Sequence, residues 1–595
     1  PTGGVCRRPG TRLIQELSGG RRLIDYDDGV YAALIVLSAS TIQIIEDGEL
    51  IQTISEDTWD DSRLAEIAWA RQKNQLILVH PDIEPRILTR TSAGWSIEAG
   101  LPWERDGSGK VLFEPFARFA DGTIELELHS AGGGQLSGPA SGTVDIVANA
   151  EVFSLDHQGA KLKFRGVEIK IDAFISSTRV RGTLEATVPE ARATRDWQEQ
   201  AFSQARGWPR TLCFHQDRLV IGGSRDFPDY VWMSRTGRYF SFDLGEGLDD
   251  EAIVFRLNSD RLDLIRAVFP GRRLQIFTNK GEWVVTGNPI TPTTTAVDLQ
   301  TRVGSYSKRR LNPIDVDGAT LFVGAGGRDL REFLYSESEQ AYQSADLALL
   351  SRHLMREPRD LCFDSRNRLV LIVREDGGAA LISIDRNSNV IAWSRMAIRG
   401  QIIACTTHQG AIYILSEYDG RTVLEQLDAD QSMDHVWIET SSFPRNTWAG
   451  LSALDGLMVT LIGDGRSLGE AEVVGGTVTA PLPVMVLEVG LPFEQEVEPL
   501  PVIAGGNRGT AQDQLYRPIH ISFRLLETDT LIVDSGGGFR SAPVPASDDL
   551  GFSGDVRISA FGWRRPFQKP SWRIRQATPE PFCLLSVTTE MKVNS

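Results

Sequence analysis

Cysteine and histidine are scarce in this chain, and neither occurs at a spacing that indicates a metal site. There are five cysteines and eight histidines among 595 residues. The cysteines lie far apart and form no C-x-x-C pair: Cys6, Cys213, Cys362, Cys405 and Cys583. Metal sites and disulfide frameworks both need closer or paired cysteines, so we expect neither. Cys213, Cys362 and Cys405 lie in apolar runs and are predicted to be small buried side chains of a protein assembled in a reducing cytoplasm.

Signatures of catalysis and of membrane insertion are also missing from the sequence. No apolar run approaches the 18 or so residues of a membrane helix, so we expect no membrane segment. There is no G-x-S-x-G or supported S-x-x-K nucleophile motif, no H-E-x-x-H and no Walker loop. We therefore expect no enzyme activity, no cofactor and no bound metal. Since the chain begins at Pro1 and not at Met, we expect further N-terminal residues to precede it.

The chain has fewer positively charged than negatively charged side chains. It contains 62 lysines and arginines and 79 aspartates and glutamates, which gives a formal net charge of −17. A protein that grips nucleic acid by neutralising phosphates needs the opposite balance. The acidic surface has two open interpretations. It serves ordinary solubility, or it lines a conduit along which DNA slides without sticking.

The sequence is rich in short apolar runs separated by turn residues. In residues 206–244, runs at 211–214, 218–222 and 230–234 are bounded by Gly, Pro, Asp and Ser, which predicts three short strands. Paired strands of this kind recur at roughly 40–50 residues through 205–430, as propeller blades do. Asp-Gly dipeptides such as Asp47-Gly48 predict hairpin turns between them.

We predict a mainly β fold: an irregular β-propeller with an inserted small β-barrel or sandwich domain and a C-terminal β domain. The segments expected are 1–105 (first part of the propeller or platform), 106–196 (inserted β domain), 197–430 (propeller blades), 431–505 (small β domain) and 506–595 (C-terminal sandwich-like region). Three helical stretches are expected as well: Ser62–Gln72, the polar link Asp196–Gln204, and a helix that places Leu347, Leu350 and Leu354 on one face.

One long run of residues resembles a known family. The matched residues are Gly207-Trp208-Pro209-Arg210, Cys213 to Leu219, Gly222-Gly223-Ser224, Val231-Trp232-Met233-Ser234, Gly237, Tyr239 and Phe242. Shorter matches occur at Arg7-Arg8-Pro9-Gly10-Thr11, His80–Arg90, Tyr342–Leu354 and 450–478. Together these resemble the tail nozzle (tail tubular protein B, or stabilisation-type) proteins of short-tailed bacteriophages. Asp217 and Phe227 stand at positions where relatives vary.

The resemblance implies a structural virion protein of the phage tail, assembled in the bacterial cytoplasm. It implies a hexameric ring around the DNA exit channel, docked on an adaptor ring and carrying fibres or spikes. Double-stranded DNA would pass through without specific binding.

Two sets of charged residues are candidate contact sites. The acidic set is Asp243, Glu246, Asp249, Asp250 and Glu251, interpreted either as a solvated loop or as a patch facing the lumen. It lacks the spacing of a calcium loop. The basic set is Arg7, Arg8, Arg302, Lys308, Arg309 and Arg310, interpreted either as solvated or salt-bridged loops or as contacts to another subunit or the adaptor.

Two other classes of function stay open. Glu125 and Glu127 alternate with apolar residues and should share the solvent face of one strand. They are either polar surface or the paired carboxylates of a propeller that binds or degrades host polysaccharide. Loop tips of the inserted domain could instead bind a host surface. His215 is either a hydrogen-bonded structural histidine or a catalytic base.

Overall fold

The computed structural model is built almost entirely of antiparallel β-strands, and the fold is that of a mainly β propeller protein. It describes residues 4–106, 111–259, 262–501, 505–506, 509–510, 515–546, 551–560, 562–565 and 570–593. The chain divides into two compact units. One consists of Gly20–Phe363 with Ile372–Glu375, and the other of Pro1–Gly19, Asp364–Leu371 and Asp376–Ser595. The strands Pro358–Asp364 and Leu369–Arg374 each include residues of both units.

The unit that starts at Gly20 contains five four-stranded sheets, each a meander in which consecutive strands are neighbours. The first sheet is Arg22–Asp27, Ala32–Leu37, Thr41–Glu46 and Glu49–Ser55; the second is Ala68–Gln72, Gln75–His80, Ile83–Thr91 and Gly94–Ala99; the third is Thr211–His215, Arg218–Gly222, Tyr230–Met233 and Ile253–Arg256; the fourth is Ile265–Pro270, Leu274–Thr278, Glu282–Thr286 and Ala296–Thr301; the fifth is Ile314–Val316, Ala319–Val323, Leu330–Ser336 and Ala341–Asp346.

These five sheets pack against one another as propeller blades do. The leading strand of the third sheet contacts the leading strands of the second and the fourth, while the last strands of the fourth and fifth sheets contact each other. Apolar side chains from adjacent sheets fill the space between them, as Ile276 and Val220 do between the third and fourth sheets. Burial of these apolar faces drives the stacking, since each sheet alone would leave one face in water.

The predicted Asp-Gly hairpin is confirmed in the first sheet. Thr41–Glu46 pairs with Glu49–Ser55 across Asp47-Gly48, and both turn residues have positive φ (48° and 83°). Two positive φ values in a row match the right-handed twist of the flanking strands, and Asp-Gly adopts them at low cost.

The inserted domain is a strongly curved seven-stranded sheet. In spatial order its strands are Phe116–Ala117, Trp197–Gln200, Lys161–Phe164, Val167–Ser176, Arg179–Val188, Ala140–Ala148 and Leu126–Ser130, with a 3-10 turn at Leu155–His157. Leu126 on the last strand exchanges backbone hydrogen bonds of 3.0 and 2.8 Å with Thr194, just before Trp197, so the sheet curls back towards its opposite edge. Trp197 and Phe164 lie in the single core inside it.

The other unit is organised around an eight-stranded sheet. Its order is Gln401–His408, Ala411–Tyr418, Arg421–Asp428, Gly10–Leu17, Asp434–Ala449, Thr477–Leu491, Met458–Gly463 and Arg466–Glu472. The N-terminal strand Gly10–Leu17 is inserted between segments more than 400 residues later. Gly10 itself must be glycine here, since a Cβ would lie 2.0 Å from the Met433 carbonyl oxygen. In the same unit, Ala379–Asp385 and Val390–Met396 form a hairpin.

The C-terminal region of the same unit consists of two small sheets and one short strand pair. One sheet is Val5–Cys6, Cys583–Val593, Tyr516–Thr528 and Phe552–Ser559; the other is Gln495–Val497, Arg573–Gln576, Ile532–Asp534 and Phe539–Ser541; the pair is Gly505–Gly506 with Gly509–Thr510. Phe523 and Trp572 meet edge to face, with ring centroids 5.5 Å apart, in the core between the two sheets. These two sheets include Val5–Cys6 and Gln495–Val497, which lie outside the segment 506–595 expected for the C-terminal β domain.

The three predicted helices are wrong. In place of Ser62–Gln72 there is one helical turn, Asp61–Leu64, capped by Asp60, and then the strand Ala68–Gln72. The link after Asp196 contributes the strand Trp197–Gln200 to the inserted sheet, beyond the boundary expected at 196. After the strand Ala341–Asp346 the chain turns, and Leu350 is 92% exposed. In the first two cases strand pairing with a neighbour outweighs a weak helical pattern, and in the third the residues form successive turns.

The expectation that the chain has no disulfide is also wrong. Val5–Cys6 pairs with Cys583–Val593 so that Cys6 and Cys583 are direct cross-strand partners, and a disulfide joins them. The pair is separated by 577 residues, and spacing along the chain therefore could not reveal it. Cys213, Cys362 and Cys405 are free and buried, as predicted.

Candidate functional site

Residues 206–244, which carry the longest stretch of the family resemblance, contribute the first three strands of the third sheet. Arg218 is 1% exposed, and its guanidinium donates to the carbonyl oxygens of Ser234 (2.6 Å), Glu251 (2.6 Å) and Asp249 (2.8 Å). One buried side chain thus satisfies three carbonyl groups, one directly after the strand Tyr230–Met233 and two in the loop of residues 243–251. The matched arginine therefore holds the loop that follows the third strand against the sheet.

Matched glycines and aromatic residues in this stretch serve packing as well. A Cβ on Gly222 would lie 2.6 Å from Val268 Cγ1, so only glycine lets the third and fourth sheets approach this closely. The Trp232 ring stands edge to face on Phe202, with centroids 5.0 Å apart, and stacks on Tyr230 at 5.8 Å.

His215 ends the strand Thr211–His215 and is partly buried. Burial lowers the pKa of its imidazole, and its Nε2 is enclosed without a hydrogen-bond partner. A catalytic base needs a proton to take and a group that orients the ring. His215 has neither in this structure, and the geometry favours a packing role.

The predicted acidic set splits between surface and interior. Glu246, Asp249 and Asp250 are exposed, and Asp250 pairs with Arg235 at 2.7 Å. Glu251 is buried, and its Oε2 accepts from the backbone N–H groups of Gly247 (2.5 Å) and Leu248 (2.7 Å). The side chain of Glu251 therefore shapes the loop, and a lumen-facing patch of the exposed carboxylates stays a prediction.

The predicted basic residues at 302–310 also divide between the surface and the interior. Arg302 and Lys308 are exposed, and Lys308 pairs with Glu357 at 2.6 Å. Arg309 is partly buried, and burial lowers its pKa to about 10. Arg310 is 5% exposed and serves as an internal donor, so a direct contact from it to another subunit would require this packing to open.

Arg7 and Arg8 are held within their own unit. Arg8 forms two hydrogen bonds to Asp434 (2.8 and 2.5 Å), and its guanidinium lies 3.5 Å from the centroid of the Phe493 ring. Arg7 covers the same ring at 4.1 Å and donates to the carbonyl oxygen of Ser432. These contacts fix the segment that precedes the inserted N-terminal strand; a partner contact through these arginines stays a prediction.

Next to Asp434 lies a buried ion pair that sequence reasoning missed. His435 Nδ1 lies 2.8 Å from Glu425 Oε1, and both side chains are fully buried. The pKa of His435 is raised: burial alone would lower it, but the charge of Glu425 and the hydrogen bond to it prevail. The pKa of Glu425 is lowered because the His435 charge and hydrogen bond outweigh burial. The pair fastens two strands of the eight-stranded sheet.

A second buried network joins the inserted domain to the segment after it. His157 Nε2 lies 3.0 Å from Glu199 Oε2, and Arg206 donates to both Glu199 oxygens at 2.8 and 2.9 Å. His157 Nδ1 accepts from the Ser154 backbone N–H at 3.0 Å, which makes it part of a capping box. The spacing Ser-x-x-His is the signal in the sequence that could have indicated this cap.

Glu125 and Glu127 have separate partners. Arg195 Nε lies 2.9 Å from Glu125, while Glu127 contacts His129 (2.7 Å) and Gln135 (2.6 Å). Leu126 and Leu128 are buried between them, so the predicted alternation holds along this segment. Across the described ranges, no group of three or more His, Cys, Asp or Glu side chains is placed to hold a metal ion.

An exposed apolar patch lies on the two longest strands of the eight-stranded sheet, and sequence reasoning missed it. Phe443 (65% exposed), Leu482 (59%) and Met485 (44%) occupy the stretch where the ladder between Asp434–Ala449 and Thr477–Leu491 is irregular. Pro444, Pro481 and Pro483 fall in the same stretch and cannot donate to a ladder. The signal was present in Pro481-Leu482-Pro483, an apolar residue enclosed by two prolines.

No protein-family model matches the chain, and no curated protein matches it. Similar solved structures include BamB from Moraxella catarrhalis, at 12% identity and a TM-score of 0.34 over 71% of this chain and 98% of that one. The WD40 repeats of RRP9 match at 8% identity and a TM-score of 0.35, over 71% of this chain and 100% of that one. U3-55K matches at 7% identity and a TM-score of 0.35, over 70% and 100%. Within the described part of the chain, no helix has the length and apolar character needed to cross a membrane.

Proposed function

We propose that this chain is a structural subunit of the tail nozzle of a short-tailed bacteriophage. Identical copies form a ring, hexameric by the family resemblance, that encloses the DNA exit channel in the virion. The ring docks on an adaptor ring and carries fibres or spikes. The observation that carries the proposal is the long residue-by-residue resemblance in 206–242, whose matched Arg218, Gly222 and Trp232 are packing residues of the third sheet.

The exposed apolar patch supports contact between copies of the chain. Contiguous apolar surface on a soluble protein marks an interaction site more often than scattered single residues do. Phe443, Leu482 and Met485 lie within one irregular stretch of two strands, which gives such a patch a rigid base. In a ring, this patch on each copy would contact a different surface of the next copy. Such a heterologous interface closes when the repeated rotation brings the last copy back to the first.

The charge balance supports a passive channel. With a net charge of −17, the chain as a whole repels DNA. The exposed carboxylates Glu246, Asp249 and Asp250 are candidates for the wall of the lumen. A channel wall that carries negative charge, as DNA does, forms few contacts with the phosphates. DNA can therefore slide along it without breaking such contacts.

Electron microscopy of the purified full chain, together with an assay for polysaccharide cleavage, tests the proposal. We expect closed rings and no cleavage. A monomer that cleaves host polysaccharide, with cleavage lost in Glu125→Gln or Glu127→Gln, would replace the proposal with the polysaccharide-degrading alternative. A monomer that binds the polysaccharide without cleaving it would point to a host-surface binding module.

A further inference from the structure

A small cavity lies where the fourth and fifth sheets meet. Its volume is about 10 Å³, enough for one water-sized particle. Arg266, Ser305, Tyr306 and Arg310 line it with polar groups, and the rings of Phe277 and Phe322 line it as well. All of these residues belong to the unit that starts at Gly20. Ser305 is fixed in place because its N–H donates to the carbonyl oxygen of Thr278 at 2.8 Å.

Two buried polar atoms of the cavity wall have no hydrogen-bond partner: Arg266 Nε and Ser305 Oγ. Both residues are only 8% exposed. The other two nitrogens of Arg266 hold Glu66, at 3.0 and 3.1 Å, so its Nε–H is the donor left over. A buried N–H without an acceptor costs free energy, and it indicates that something in the cavity accepts from it.

Arg310 adds a positive charge that no carboxylate neutralises directly. Its Nη1 donates to the carbonyl oxygen of Arg266 at 2.7 Å, its Nη2 to Thr211 Oγ1 at 2.9 Å and its Nε to Asn312 Oδ1 at 3.0 Å. Every one of these acceptors is uncharged. A guanidinium stays protonated in proteins, so this charge is buried and must be balanced by its surroundings.

The charges around Arg310 are mostly of its own sign. The side chains that act on it most strongly are the arginines Arg266, Arg22 and Arg210, and the single carboxylate Glu66. Burial, and after it the Arg266 charge, lowers the pKa of Arg310 to about 9. Arg22 adds to the excess: it is 1% exposed, and two of its guanidinium nitrogens have no partner. Among the side chains that act most strongly on Arg310, positive charge therefore exceeds negative charge.

We propose that the cavity formed by Arg266, Ser305 and Arg310 binds a small monovalent anion of the size of chloride. The anion accepts from Arg266 Nε and Ser305 Oγ and offsets the charge of Arg310. A water molecule would satisfy the two free polar atoms but would leave the charge unbalanced, and a phosphate or a carboxylate is too large for the volume. The site neutralises the interior between two sheets and stabilises their contact.

Thermal unfolding of the full chain in sodium chloride and in sodium gluconate, at equal ionic strength, tests the site. Gluconate cannot enter the cavity. An anion that binds only the folded state raises Tm with its concentration, so we expect a higher Tm in chloride, with saturation. The variant Ser305→Ala should need about tenfold more chloride for the same rise, because one hydrogen bond to a charged ligand is lost.

Ser241→Ala is the matched control. Ser241 belongs to the same unit, is 1% exposed and also has an unpartnered Oγ, but it does not line the cavity. This variant should keep the full response to chloride. Equal responses of Ser305→Ala and Ser241→Ala would overturn the proposal.

Crystals grown in sodium bromide provide a readout that does not depend on stability. Bromide replaces chloride and scatters anomalously, so a peak within hydrogen-bond distance of Arg266 Nε and Ser305 Oγ is expected. A water molecule only at this position, without an anomalous peak, would overturn the proposal even if Ser305→Ala lowers Tm.

Discussion

Buried charged side chains hold the loops of this protein to its sheets, and Arg218 is the clearest instance. Two of its three hydrogen bonds to carbonyl oxygens, those to Asp249 and Glu251, connect the third sheet to the loop of residues 243–251. The sequence shows an ordinary Asp-Arg turn at this position. What it cannot show is that the side chain folds back under the sheet, because the acceptors are carbonyl groups 16 to 33 residues away.

We predict that Arg218→Met lowers the free energy of unfolding by about 3 kcal/mol, because it leaves carbonyl oxygens buried without donors. Urea unfolding followed by tryptophan fluorescence measures this change. Arg524→Met is the control: Arg524 pairs with Asp555 on an exposed surface and should behave like the unmodified protein. Equal stability of both variants would show that the buried contacts of Arg218 contribute nothing.

Glu282 is a second residue whose burial has a measurable consequence. It is fully buried in the fourth sheet, and burial raises its pKa from 4.5 to about 7, although hydrogen bonds from Thr301 and the Val303 N–H oppose the shift. Between these two values the unfolded chain releases the proton and the folded chain retains it. The free energy of unfolding therefore falls as the pH rises from about 4.5 to about 7, and then levels off.

We expect Glu282→Gln to remove this loss of stability. Relative to the unmodified protein, the variant should gain about 3 kcal/mol between roughly pH 4 and pH 8, since its side chain stays neutral throughout. Urea unfolding at the two pH values gives the difference. Glu98→Gln, on the exposed side of strand Gly94–Ala99, should show no such gain. If Glu282→Gln gained nothing at the higher pH, the raised pKa would be wrong.

At the scale of elements, hairpins were predictable and helices were not. Hairpin signals are local: Asp47-Gly48 lies between the two strands that it joins. The helical patterns at Ser62–Gln72 and around Leu350 were equally local, but the first segment pairs as the strand Ala68–Gln72 and the second forms turns after Asp346. The N-terminal strand Gly10–Leu17 could not be placed from the sequence at all, since it pairs with Arg421–Asp428.

The same limit applies to the candidate sites. Which of the charged residues at 243–251 and 302–310 lie at the surface depends on their partners, not on their order in the chain. Glu251 and Arg310 turn inward because backbone groups there need an acceptor and a donor. The patch at Phe443 depends on an irregular pairing between two strands that lie more than 30 residues apart.

The disulfide gives a direct test of how the chain ends are paired. Of the five cysteines, Cys6 and Cys583 are joined and three are free. Alkylation of the denatured, unreduced protein should therefore modify three cysteines, and alkylation after reduction should modify five. Mass spectrometry counts the added groups. Five modified cysteines without reduction would contradict the pairing of Val5–Cys6 with Cys583–Val593.

For the whole molecule, surface charge and the exposed apolar patch bear on the proposed contact between copies. The net charge of −17 acts against close approach of identical copies, so the proposed contact would rely on apolar surface and on local charge pairs. The patch around Phe443 supplies apolar surface. Exposed side chains of both charges, such as Glu246 and Arg302, are available for charge pairs.

We predict that the double variant Phe443→Glu with Leu482→Glu weakens assembly of the chain at least about tenfold while leaving the fold intact, because two charges would enter an apolar contact. Sedimentation velocity measures the assembly state, and circular dichroism checks the fold. Leu350→Glu is the control, since Leu350 is 92% exposed but lies outside the patch. Equal assembly of both variants would exclude this patch from the interface.

Native mass spectrometry of the purified full chain tests the central claim most directly. If the chain is a ring-forming nozzle subunit, the dominant species should have six times the 65.7 kDa mass of one chain. It should also persist on dilution, because a closed ring is held at two interfaces per subunit. A spectrum that contains only the single chain at every concentration would contradict the proposed function.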